Sequence, residues 1–373
     1  PLMKIAILSN FSHPSICGVW FRAKQEAELL STKNHEVKVF SSNWIKGTKK
    51  RSANEEVYNN FNIQRFKAIK LGGESFLYWN FKNELLKFKP DAIIAHSYRQ
   101  LHTTTALKIA KKLKCKVFLV THAPFVEGDI TRTFPAKIAV KFYDRFIASR
   151  TLNRFDKVIA ITKWEIPILK KLGAREEKII YIPNGIPEEF FKQKKSKEEN
   201  KILFLGRIAK IKNIETLLNA FSLLKDKNIR LEIVGPSEKD YLKKLKSLIK
   251  EKNLEKRILF KEPIYNIEEK IKKIDSAKVF VLPSKRESMP QSLIEAMARE
   301  KTVIASDNKG CSDLIVDDKN GYLFKVGDYE ELAKKIDHAL EKNHKNIGIW
   351  ARRSVEKFSW GIIINDILNL IKS

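Results

Sequence analysis

The apolar positions of this chain fall into two series of short runs. MKIAIL (3–8), EVKVF (36–40), AIIA (92–95), VFLVT (117–121) and VIAI (158–161) are runs of the length and composition of buried strands. Between them, 21–31 and 104–112 carry helical patterns. Strand–helix alternation of this kind builds a parallel, doubly wound sheet. The series breaks at KQKKSKEEN (192–200), which is charged and free of apolar residues, and then restarts. Runs at 201–205, 231–234, 258–260, 278–282 and 302–305 repeat the alternation. The pattern predicts an α/β protein of two Rossmann-like domains joined near Pro183–Pro187. Residues 1–184, rejoined by a C-terminal helix of about 355–373, form the first, and 185–354 the second. The active site is expected in the cleft between them, although the closing helical stretch, 361–371, has no partner obvious from the sequence.

Length and composition agree with two domains, since 373 residues suffice for two sizeable cores. No apolar run approaches the ~20 residues that cross a bilayer, and the N-terminus lacks the charged-then-apolar order of a signal peptide. Met3 reads as the natural start, and an intracellular protein is expected. Cys17, Cys115 and Cys311 stand apart from one another and from histidine clusters, so free thiols are expected and no zinc site.

Charge changes the picture more. The 72 Lys and Arg against 44 Asp and Glu leave a net +28. The excess is uneven: residues 1–186 hold 33 basic and 15 acidic residues, net +18, and the rest hold 39 and 29, net +10. Such a field calls for an anionic partner, whether nucleic acid, a phosphate-bearing substrate or an anionic membrane. A lysine-rich surface alone would raise the total but not its concentration in the first half. Nucleic acid is the less suitable partner, because the chain has no zinc-finger spacing or other reading module and its basic residues are dispersed over two enzyme-like sheets.

Two phosphate-binding loops are excluded. A dinucleotide fold would carry GxGxxG after its first strand, where this chain has SNFSHPSICGVW, and no GxxxxGK[ST] occurs anywhere. The chemistry points instead to KVFVLPSKRESMPQSLIEAMARE (278–300). It reads as strand, loop and helix, with Ser288 and Gln291 forming a capping box and Pro290 in the first turn. The helix start offers free amides and a positive dipole end at the carboxyl edge of a sheet, where α/β folds hold anionic ligands. Glu287 and Glu295 flank it and can accept hydrogen bonds from sugar and ribose hydroxyls. Upstream, KILFLGRIAKIKNIETLLNAF (201–221) ends a strand at Gly206 and places Arg207 and Lys212 before the next helix. Two cations there suit a departing diphosphate, although solvated basic residues would read the same in isolation.

Taken in order, GRIAKIKNIETLLNAF, LEIVG and VFVLPSKRESMPQSLIEAMAREKTVIASDNKGCSDLIVDDKNGYLF closely resemble the nucleotide-sugar half of glycosyltransferase family 4, including its motif of two glutamates separated by seven residues. VIAITKWEIPILKKLGAREEKIIYIPNGI resembles the end of that family's first domain and its linker. The resemblance implies a GT-B fold and a retaining, metal-independent hexosyltransferase that uses a nucleotide sugar, UDP or GDP, and no cofactor. It assigns Arg207 and Lys212 to the donor diphosphate, Glu287 to the donor sugar and Glu295 to the ribose. The backbone around Ser288, Met289, Pro290 and Gln291 would lie by the phosphate or sugar. VFLVTHAPF sets His122 at the family's active-site histidine, in contact with the reacting sugar; His96 is a weaker candidate. Gly18 alone remains of the paired glycines usual in the first loop, Pro236 follows Gly235 where a second glycine is common, and Asn213 replaces a frequent glycine. These departures bear on donor preference. No carboxylate is placed by motif as a nucleophile, with Glu127 and Asp129 the nearest, so transfer on one sugar face is expected.

For the acceptor, KIAVKFYDRFIASRTLNRF (137–155) combines five basic residues and one acid with Ile138, Phe142, Phe146, Ile147 and Leu152. That is the composition of a helix lying on an anionic membrane, and equally of a core helix with snorkelling cations. A lipid-linked or glycan acceptor at the cytoplasmic membrane face is the expectation. A nucleic-acid-binding protein and a nucleotide-sugar epimerase are the alternatives.

Overall fold

The structure is a computed structural model that describes residues 2–15, 17–72, 76–125, 134–192, 197–341 and 345–373. The chain divides into two compact units, Pro1–Gly185 with Trp360–Ser373, and Ile186–Ser359.

The first unit contains β1 (Lys4–Ser9), β2 (Glu36–Ser42), β3 (Glu55–Tyr58), β4 (Phe61–Phe66), β5 (Ala68–Gly72), β6 (Phe76–Trp79), β7 (Ala92–His96), β8 (Lys116–Val120), β9 (Lys157–Ala160) and β10 (Ile179–Tyr181). Eight of them form one sheet in the order β10-β9-β8-β7-β1-β2-β4-β3, parallel except for the β3–β4 hairpin, while β5 and β6 pair separately. Ile5–Leu8 and Ala92–Ala95 at the centre are fully buried because helices cover both faces. The expected strands all form, within a residue or two of their predicted ends. β3 to β6 and β10 were not predicted. β4 alternates Phe61, Ile63 and Arg65 inward with polar residues between, a half-buried pattern unlike the apolar runs of the centre. The C-terminal helix, Trp360–Lys372, returns to this unit, where the Trp360 ring packs against Gly185; a Cβ at Gly185 would lie 2.3 Å from the ring.

The second unit contains β11 (Lys201–Leu205), β12 (Arg230–Val234), β13 (Ile258–Lys261), β14 (Val279–Leu282), β15 (Thr302–Ser306) and β16 (Tyr322–Phe324). All are parallel, in the order β13-β12-β11-β14-β15-β16. This is the Rossmann order, and the direction of winding reverses between β11 and β14. The same reversal occurs between β1 and β7 in the first unit. Loops leaving the carboxyl ends of these strand pairs diverge, which opens a crevice at each sheet edge.

Candidate functional site

In the second unit, the loops after β11 and β14 carry the residues singled out in the sequence. The backbone amide of Lys285 donates to the Ile211 carbonyl at 2.9 Å and draws the two loops together. Lys212 Nζ then lies 2.5 Å from Glu287 Oε1, both side chains mostly buried. Arg207, at the mouth of the first loop, is 57% exposed and 3.5 Å from Glu238. Asn213 adopts φ +52°, a left-handed conformation that glycine fits without cost and that asparagine tolerates better than most residues. It therefore supplies the turn that glycine commonly makes, and its Nδ2 donates to Thr216 Oγ1 at 2.7 Å.

The helix after β14 spans Gln291–Ala298, and its N-cap is Pro290, with no side-chain capping bond. The expected capping box at Ser288 is thus corrected: the helix begins two residues later, and Gln291 is its first residue rather than its third. Ser288 and Met289 lie in the loop, Met289 buried. Glu295 sits one turn into the helix and is only 1% exposed. Its Oε2 lies 2.5 Å from Lys270 Nζ on the Ile267–Asp275 helix, and burial nevertheless raises its pKa above the usual 4.5. Arg299, one turn on, makes a bidentate pair with Asp275 at 2.7 Å. Two ion pairs therefore clamp these helices together.

Gly310 and Cys311 were not anticipated. A Cβ at Gly310 would lie 2.5 Å from the Glu287 carbonyl oxygen and 2.6 Å from that of Ser288, so the absence of a side chain lets the short Lys309–Ser312 helix press against the loop that holds Glu287. Cys311 is fully buried beside the Lys212–Glu287 pair, and burial pushes its thiol well above the ordinary range. The signal in the sequence was a glycine followed by the only cysteine of this unit.

In the first unit, a polar chain runs beneath the edge between β1, β7 and β8. His122 and Ala123 follow β8 with φ +60° and +46°. Consecutive non-glycine residues in this region cost roughly 1–3 kcal/mol each and persist only where surroundings impose them. His122 Nε2 lies 2.9 Å from His96 Nδ1, and His96 Nε2 lies 3.0 Å from Glu26 Oε2. Arg22 Nε donates to Glu26 Oε1 at 2.7 Å, and Arg22 NH1 reaches the carbonyls of Ile182 and Pro183 at 3.0 and 2.9 Å. Burial, with help from His96 and Arg22, holds His122 well below the usual 6.5, so the imidazole is neutral. Glu26 is fully buried, yet His96 and Arg22 hold its carboxyl below 4.5.

Arg22 and Glu26 were missed, although their i, i+4 spacing on a helix face shared with Ala23, Ala27 and Leu30 was a signal: charges rarely occupy such a face unless paired. Gly18 opens that helix, Gly18–Thr32, and a Cβ there would meet nothing within 4 Å. Its lack of a side chain answers no packing need among the described residues. Glu127 and Asp129 lie outside the described residues. Among the described residues no group of three or more His, Cys, Asp and Glu could hold a metal ion.

Two Rossmann-like units, each with polar side chains gathered at its winding reversal, define the GT-B class. The chain belongs to glycosyltransferase family 4: the family described as "Glycosyltransferase Family 4" matches residues 16–190 and "Glycosyl transferases group 1" matches 185–353. An uncharacterised glycosyltransferase of Methanocaldococcus jannaschii is 26% identical over 96% of this chain and 95% of its own length. The N,N'-diacetylbacillosaminyl-diphospho-undecaprenol α-1,3-N-acetylgalactosaminyltransferase of Campylobacter jejuni is 26% identical over 63% of this chain and 61% of its own. Among solved structures, Anabaena HepE in complex with UDP and glucose superposes with a TM-score of 0.75 at 18% identity, covering 99% of both chains. The protein is a glycosyltransferase.

Proposed function

We propose that the chain transfers a hexose from UDP, with retention of configuration, to a lipid-linked or glycan acceptor at an anionic membrane surface. The observation that carries the reading is the meeting of Lys212 and Glu287 at 2.5 Å across the β11/β14 reversal. A cation and a carboxylate held there offer charge to a leaving diphosphate and an acceptor to a sugar hydroxyl. Arg207 and Lys212 take the diphosphate, Glu287 the sugar, Glu295 the ribose, and the backbone from Ser288 to Gln291 the phosphate or sugar. Gly18 gives the donor phosphate close backbone approach, and His122, neutral, contacts the reacting sugar without acting as a nucleophile.

Because the lysine already neutralises the glutamate, an arriving diphosphate competes for Lys212 and frees Glu287 for a hydroxyl. Transfer proceeds on one face of the sugar: the bond from the anomeric carbon to the phosphate oxygen breaks, the acceptor oxygen attacks from the same side, and the leaving phosphate oxygen takes the acceptor's proton. The reaction needs no resident cofactor or metal. The UDP carried by HepE and the diphospho-undecaprenol acceptor in the name of the C. jejuni relative support the donor and acceptor classes.

Calorimetric titration with UDP and GDP tests the donor, with UDP expected to bind and Lys212→Ala to weaken it at least tenfold. Saturating UDP without heat or protection from unfolding would overturn the assignment. The anomeric coupling constant of the product reads retention, and an inverted product excludes same-face transfer.

A further inference from the structure

In the first unit the chain from Phe134 runs through an α-helix, Phe134–Phe142, a π-helical turn, Tyr143–Ile147, and a second α-helical turn, Ala148–Leu152. Phe134, Ile138, Phe142 and Phe146 recur at every fourth position, and each is more than half exposed. In a regular α-helix such a series drifts by about 40° per step, because four residues overshoot one turn of 3.6. The wider π turn takes up that overshoot at the step from Phe142 to Phe146. It keeps Phe146 above Phe142, with ring centroids 4.9 Å apart. The result is an apolar ridge with nothing packed on it among the described residues.

Lys137, Lys141, Arg145 and Arg150 are exposed alongside it, with the Arg145 guanidinium 5.8 Å from the Phe146 ring centroid. The one acid in the segment, Asp144, is turned inward. It accepts from Arg99 at 2.8 and 2.5 Å and from the Tyr98 hydroxyl at 3.1 Å. Tyr143 packs edge-on against Tyr98, and Ala148 and Leu152 are buried. The π turn thus serves two purposes: its inner side fastens the segment to the fold, and its outer side carries the ridge on from Phe142 to Phe146 beside the cations.

Cations beside an apolar ridge suit one occupant, an anionic lipid bilayer, which offers hydrocarbon to the rings and phosphates to the bases at one interface. A second copy fits poorly, because the same four cations would face their own kind on a chain of net charge +28, and four side chains fall well short of the roughly 800 Å² per partner of a stable interface. We infer that Phe134, Ile138, Phe142 and Phe146 form a membrane-docking ridge that enters the interface of an anionic bilayer, with Lys137, Lys141, Arg145 and Arg150 on the lipid phosphates. The inference rests on the membrane setting of the proposed function and names the surface that provides it.

The test is sedimentation of the full chain with vesicles of phosphatidylcholine alone and of equal parts phosphatidylcholine and phosphatidylglycerol, with no donor or acceptor present. Binding is expected only to the anionic vesicles and is expected to fall with added salt. The double substitution Phe142→Ser with Phe146→Ser should weaken it about tenfold or more. Phe134→Ser with Ile138→Ser, a full turn from the anchoring tyrosine, should do the same and covers the case in which the first variant misfolds. Lys141→Glu with Arg145→Glu should abolish the preference for anionic lipid. Wild-type protein that ignores anionic vesicles at low salt, or ridge variants that bind as wild type does, would overturn the inference. So would a wild-type dimer that the ridge variants convert to monomer without lipid, since the ridge would then be a self-association face. UDP titration of the same samples keeps a failed donor site distinct from a failed membrane surface.

Discussion

Glu26 and Glu295 are both essentially closed to water, each on the helix that follows one of the central strands, β1 or β14, and burial ends in opposite outcomes. Glu26 has a guanidinium at 2.7 Å and an imidazole at 3.0 Å, and its pKa falls. Glu295 has Lys270 and a hydrogen bond from Gln291, and its pKa rises. Desolvation is the largest effect on both; a guanidinium with an imidazole outweighs it at Glu26, and one ammonium with one neutral amide does not at Glu295. The first glutamate is a fixed anion inside a closed network. The second is held less firmly in its charged form, so a neutral hydroxyl donor can compete for it. On the proposed reading of Glu295 as the ribose acceptor, a structural carboxylate and a ligand-facing one differ in how completely the protein has already satisfied them.

The largest effect that would break the comparison is on stability. Glu26→Ala leaves Arg22 and His96 buried without their anion and is expected to cost about 3–5 kcal/mol, read from the denaturant midpoint. Glu295→Ala leaves Lys270, whose side chain is 23% exposed and can turn to water, and should cost less than about 2 kcal/mol. Equal losses would show that the two carboxylates play the same part. Next comes activity: Glu287→Ala should lower kcat/KM for transfer by roughly 10²–10³ with little change in stability, because its partner Lys212 also reaches solvent.

The same contrast explains what could be read in advance. Arg207, Lys212, Glu287 and Glu295 lie in two stretches whose spacing carries their meaning, and the winding reversal brings those stretches together. The cluster of the first unit comes from Arg22, Glu26, His96, His122 and the 182–183 carbonyls, residues separated by up to 161 positions. His122 and His96 were singled out through the family resemblance, but no local pattern encodes the assembly, and for Arg22 and Glu26 the i, i+4 spacing of charges on a buried face was the hint. Strands at the sheet centre were legible because helices cover both faces and force continuous apolar runs. β3–β6, β10 and β16 lie toward the sheet edges or in a separate hairpin, and these short or half-exposed strands were not recognised. Asp144 was counted as the single acid among the cations of 137–155, and nothing local shows that its carboxylate is spent on Arg99.

Acid titration sharpens the comparison from a third carboxyl. Glu165 accepts from Thr121 Oγ1 at 2.7 Å and from the amides of Ile161 and Thr162 at 2.5 and 3.0 Å, yet burial pushes it up to about 7. A carboxyl whose folded pKa lies above its unfolded value costs stability as pH rises from about 4.5 to about 7. Glu165→Gln should remove that slope from the stability profile. Glu26 has the opposite sign: its contribution is present above 4.5 and is lost as pH falls through its lowered folded value. Glu26→Gln should therefore flatten only the acid limb. A shared pH window for the two variants would refute the contrast drawn between them.

The smallest expected effect concerns Asn213, one of the departures that raised the question of donor preference. Its φ of +52° costs a side-chain-bearing residue on the order of 1 kcal/mol, less for asparagine than for others. Its bond to Thr216 contributes about the same in the other direction. Asn213→Gly relieves the first and loses the second, so stability should change by less than about 1 kcal/mol, with UDP affinity unchanged because Lys212 keeps its turn. Asn213→Ala loses the bond and keeps the strain, and should cost roughly 1–2 kcal/mol. If glycine instead altered the ratio of UDP to GDP affinity, the side chain at 213 would be reading the donor, and the turn geometry would not be its reason for being there.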